Sequence, residues 1–81
     1  MQPISTPVAD ETAIDAPAFS RRETDCMTRL VRGLTDQEIA QDLAITHATV
    51  RFHLEGARRK ANARSRTHLA ALAVALGVAS P

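Results

Sequence analysis

The stretch TVRFHLEGARRKANARSR, residues 49–66, holds six cations and a single acid, Glu55, in eighteen residues. Arg51, Arg58, Arg59, Lys60, Arg64 and Arg66 carry the charge, while Val50, Leu54, Ala57 and Ala61 recur at spacings of four, three and four. That recurrence is the period of a helix docked by one face. On a wheel of ~100° per residue these four share a narrow arc, and Phe52 and Arg59 fall nearly opposite. Arg51, Glu55 and Arg58 fill one flank; His53 and Lys60 fill the other. Cations held on the outer side of a docked helix suit a polyanion, whose condensed counterions they displace. Three neighbours offer a more selective chemistry. Arg51 has the fork that pairs with O6 and N7 of guanine, Glu55 can accept from N4 of cytosine, and Phe52 can cover a thymine methyl. Glu55 also follows Arg51 by four residues, so an i,i+4 ion pair is its competing role.

No other constellation of reactive residues stands out. There is no nucleophile beside a base, no acid/base pair and no glycine loop to cradle phosphate, which argues against an enzyme. His47, His53 and His68 lack the spacing of a metal site, so neither metal nor cofactor is expected. The one cysteine, Cys26, has no second thiol to join, and its place on an apolar stripe marks it as core in a reducing compartment. The N-terminus has no cation and no apolar run of a signal peptide, and Leu69–Leu76 is far shorter than the ~18 residues of a membrane span. A cytoplasmic protein without membrane attachment is the expectation.

The elements that must position residues 49–66 follow from local signals. The chain of 81 residues suits one small domain, and its 44% apolar content leans on alanine, so the core is thin and a second subunit or a ligand is expected to add stability. The net charge of +1 hides an asymmetry. Residues 1–20 hold three acids and no Lys or Arg, whereas residues 21–81 hold ten cations against six acids. Residues 1–18, with three prolines and no apolar period, are expected to be a disordered tail or a linker. Ser20 and Glu23 have the spacing of a capping box, starting a helix with Cys26, Met27, Leu30 and Val31 inward that stops near Gly33. Thr35 and Glu38 repeat the box, and a short helix with Ile39, Ala40 and Leu43 inward ends around Ala44. Thr46 caps the third helix, which Asn62 ends. A fourth runs from near Ser65 to Gly77 with Leu69, Leu72 and Leu76 on one face. Gly56 inside the third helix costs ~1 kcal/mol relative to alanine, and close approach to a partner or simple tolerance both account for it. No segment alternates with period two. The expected fold is all-α, a four-helix bundle-like domain containing a helix-turn-helix.

At the level of motifs, RGLTDQEIAQDLAI, TVRFHL and RRKANARSR fall in register over residues 19–78, and this stretch resembles the DNA-binding domain of LuxR-type (GerE-like) bacterial transcription regulators. The resemblance implies a domain over residues 19–81 whose recognition helix, 46–61, enters the major groove of double-stranded DNA. It implies base reading by Arg51, Phe52 and Glu55, and phosphate contacts at Thr35, Thr46, Thr49, Arg59 and Lys60. Arg58, Arg64 and Arg66 join the phosphate set by charge. The last helix is expected to form a homodimer through Leu69, Leu72, Val74 and Leu76, and RNA polymerase is a further candidate partner. The alternative is an interaction module that pairs with longer regulators of this type and antagonises them. Ala44 stands where a turn glycine is frequent, and Ala61 and Asn62 replace the usual Leu-Gly.

Overall fold

Short turns separate four helices in the computed structural model, which describes residues 17–81. They are α1 (Arg21–Val31), α2 (Asp36–Leu43), α3 (His47–Ala61) and α4 (Arg66–Ala75), with no strand among the described residues. The all-α expectation holds, and α2, its turn and α3 form the helix-turn-helix. Most of the tail expected over residues 1–18 lies outside the described residues.

Each start is fixed by a side chain that satisfies a free backbone N–H of the first turn. Ser20 Oγ accepts from Glu23 N at 3.1 Å, and the Glu23 carboxylate accepts from Ser20 N at 2.8 Å. Thr35 and Glu38 repeat this reciprocal box at 3.2 and 2.8 Å. Thr46 and Ser65 cap α3 and α4 by accepting from Thr49 N and His68 N.

The ends are left-handed turns. Gly33 follows α1 with φ 93°, and Leu34 N donates to Arg29 O at 3.1 Å. Ala44 takes φ 58° at the turn of the helix-turn-helix, a conformation that disfavours a Cβ by about 1 kcal/mol. Ile45 N donates to Ala40 O there, and Ile45 packs against the core. Asn62, with φ 56°, ends α3 as its side chain permits.

The core forms around α3, which packs against all three other helices. Cys26 and Met27 of α1, Ile39 and Ala40 of α2, Val50, Leu54 and Ala57 of α3, and Leu69 and Ala73 of α4 are buried, with Ala63 and Ala79 closing the ends. On α4 the inward stripe differs from the expected Leu69, Leu72 and Leu76. Leu69 and Ala73 are the buried pair, Leu72 is half-buried, and Leu76 is exposed. The helix stops before Leu76, and Gly77, with φ 73°, turns the chain so that Val78 and Ala79 pack on the core instead.

Candidate nucleic-acid interface

The N-terminal half of α3 points free groups outward. Val50 and Leu54 anchor it to the core, which leaves Arg51 and Phe52 on the solvent side. Phe52 is 69% exposed, the most exposed large hydrophobe among the described residues, and its ring meets His53 edge-on at 5.5 Å between centroids. Arg51 forms no ion pair among the described residues. The first turn of α3 carries no acid of its own. The Thr46 and Thr49 hydroxyls sit there 2.7 Å apart, one donating to the other. Thr35, exposed at the start of α2, has its hydroxyl turned to Glu38 N.

The C-terminal half is different, because its cations meet partners within the protein. Glu55 accepts two hydrogen bonds from Arg58, at 2.9 and 2.7 Å, and lies 3.6 Å from Arg59. The i,i+4 pair with Arg51 is therefore not the one formed. An acid preceding its cation is the favoured order on a helix, and Arg58 is braced further by donating to Ala63 O at 2.8 Å. These bonds hold the Glu55 carboxyl below its ordinary pKa and raise that of Arg58. Lys60 Nζ donates to Glu23 at 2.8 Å and also reaches Ala18 O at 3.4 Å.

Beyond α3, Arg66 pairs with Asp36, and His47 lies 3.5 Å from the same carboxylate. One half-buried acid on α2 thus ties the starts of α3 and α4. The Arg66 hydrogen bond leads in lowering the Asp36 pKa, against partial burial. Arg64 presents an exposed side chain, while its backbone N–H donates to His68 Nδ1 at 3.0 Å. Val74 of α4 is 44% exposed and Leu76, just past its end, 38%, but Leu69 is closed inside the domain. Of the four residues expected to dimerise, Leu72, Val74 and Leu76 keep accessible surface.

Sequence reasoning saw Glu23 only as a capping residue. In the structure it is buried and is the one acid that α1 presents to α3. The available signal was Gly56, one turn before Lys60: a Cβ at position 56 would lie 2.7 Å from Glu23 Oε2. The close approach that justifies this glycine is intramolecular.

Comparison with known proteins gives a consistent picture. The family described as bacterial regulatory proteins, luxR family, matches residues 17–73. The HTH-type quorum sensing-dependent transcriptional regulator VjbR of Brucella abortus is 40% identical over 63 residues, covering 78% of this chain and 24% of that protein. Regulatory protein SdiA of Escherichia coli is 38% identical over 60 residues, or 74% of this chain and 25% of its own. The transcriptional activator protein AhyR of Aeromonas hydrophila is 38% identical over 64 residues, covering 79% and 25%. The chain spans about a quarter of the length of these relatives.

Proposed function

The chain belongs to the luxR family of bacterial regulatory proteins, and from that premise we propose that it regulates transcription by binding double-stranded DNA in a sequence-specific manner, with α3 in the major groove. The observation that carries this is the pairing of Arg51 and Phe52. Both stand exposed on the outer side of the second helix of a helix-turn-helix, with no internal ion pair to hold the guanidinium. A helix so placed brings its N-terminal side chains to base edges while its flanks meet the backbone.

In this reading Arg51 pairs with a guanine and Phe52 covers a thymine methyl. Glu55 contributes by fixing Arg58 and Arg59, and its free lone pairs remain able to accept from cytosine. Thr35, Thr46, Thr49, Arg59 and Arg64 meet phosphates. Arg58 and Arg66 join them by exchanging or sharing their carboxylates, whereas Lys60 is set apart by its bond to Glu23. Leu72, Val74 and Leu76 supply a small apolar surface at the C-terminal end of α4 for a second copy, matching two half-sites on the DNA. RNA polymerase is a further candidate partner. The cytoplasm is where such a protein works, and no helix among the described residues is long and apolar enough to cross a membrane.

Selection of bound duplexes from a random pool tests the proposal and yields the site. Against that site, Arg51→Ala is expected to lose about 1–3 kcal/mol and relax preference at one base pair. Arg59→Ala is expected to weaken all sequences equally and lower the slope of log affinity against log salt by ~0.9. Self-association without any DNA binding would overturn the reading and favour a pairing module.

A further inference from the structure

We propose that Glu23 and Lys60 act as a positioning pair for α3, setting the rotation of the base-reading helix about its own axis. The inference rests on the DNA-binding reading above and deepens it. Phe52, Gly56 and Lys60 form one i,i+4 row that winds along α3 from its outer face at Phe52 to its flank at Lys60. The far end of that row is held at two successive turns by a single carboxylate. Glu23 Oε1 accepts from Lys60 Nζ at 2.8 Å and from Ser20 N at 2.8 Å, and Oε2 faces the bare Cα of Gly56.

The carboxylate itself has little freedom. Glu23 is 7% exposed, and its bond to Ser20 belongs to the cap that starts α1. A hydrogen bond at Lys60 and a close approach at Gly56, one turn apart and made to a group fixed on another helix, add a constraint on the helix's azimuth to that of the apolar stripe. Val50, Leu54 and Ala57 fix the docked face, and the Lys60–Glu23 bond adds a tether on its flank. A roll of about 20° on a helix of ~5–6 Å side-chain radius moves the outer groups by about 2 Å, which is enough to break hydrogen bonds to base edges. Lys60 also meets Ala18 O, so the segment that leads into α1 is tied to the same point.

A phosphate contact and a positioning contact leave different marks on binding. Losing a phosphate contact lowers the salt slope by ~0.9 and weakens all sequences alike. Losing a positioning contact leaves the slope in place and lowers the ratio of affinities for the selected site and a scrambled duplex. Lys60→Met, Glu23→Gln and their double variant should be measured on both duplexes over a salt series.

The expected result is a ratio lowered by about tenfold, the size of one lost base contact, in each single variant. The double variant should be no worse than either single, with the slope unchanged throughout. Gly56→Ala keeps every charge and should lower the ratio in the same way, which guards against poor folding of the Glu23 variant. A slope reduced by ~0.9 in Lys60→Met with an unchanged ratio would overturn the proposal and make Lys60 a phosphate contact. An unchanged ratio and slope would also overturn it. Should the wild-type chain bind no DNA, the proposed function fails separately. The pair is then judged on Tm: a loss common to the singles and the double supports the contact, and additive losses refute it.

Discussion

The two capping boxes of this domain have the same local chemistry and different tertiary consequences. Ser20 with Glu23 and Thr35 with Glu38 exchange the same two hydrogen bonds at nearly equal lengths. Glu38 is exposed, and its work ends with the start of α2. Glu23 is buried, and it also receives Lys60 from α3 and faces Gly56. A motif that fixes a helix start can thus serve as a joint between helices when its carboxylate is turned inward.

The largest expected contrast is between Glu23→Ala and Glu38→Ala. The first should destabilise the domain by about 2 kcal/mol, since it removes a buried, charge-assisted acceptor. The second should cost about 0.5 kcal/mol, the low end for an exposed cap. Urea unfolding measures both, and equal losses would break the comparison. By contrast, Ser20→Ala and Thr35→Ala should cost about 1 kcal/mol each, because the hydroxyl bonds of the two boxes are alike.

Gly56→Ala sharpens the comparison through its sign. Alanine normally stabilises a helix interior by ~1 kcal/mol over glycine. Here the new Cβ meets Glu23 Oε2, and although the bonds from Ser20 and Lys60 both land on Oε1, turning Oε2 aside tilts the carboxylate away from them, so the substitution should destabilise instead. In a Glu23→Ala background the obstacle is gone, and Gly56→Ala should become stabilising. The same sign in both backgrounds would remove the joint.

The smallest effect is in acid. Burial alone would raise the Glu23 pKa, but the bonds from Lys60 and Ser20 and the ammonium charge outweigh it, leaving the value below the ordinary 4.5. A carboxyl whose folded pKa is depressed contributes stability that is present above its unfolded pKa and lost as pH falls through the folded value. Asp36, lowered from 3.8 by Arg66, acts in the same direction. Thermal stability should therefore drop as pH falls below about 4.5, and Glu23→Gln should show a shallower drop.

How far the sequence reaches can be judged on particular residues. Ser20, Thr35, Thr46 and Ser65 mark the helix starts because a cap is a bond within four residues, and Gly33 and Asn62 mark ends because left-handed backbone selects few side chains. The spacing of Val50, Leu54 and Ala57 gives the inward face of α3 for a similar reason, since helical period is local geometry. On α4 the period failed at Leu76, where the chain leaves the helix before the stripe is complete.

Local chemistry in the sequence therefore determined four capped helices, the all-α class, the helix-turn-helix and the outward placement of Arg51 and Phe52. Which cations stay free was decided only by tertiary structure. Arg66 turned to Asp36 and Lys60 to an acid thirty-seven residues earlier in the chain, whereas the Arg58–Glu55 pair is a local contact within α3. Charge can be counted along a sequence, but its availability depends on which opposite charges the packing of helices brings within a few ångströms. That distance is set by the whole core, including a glycine whose reason lies on another helix.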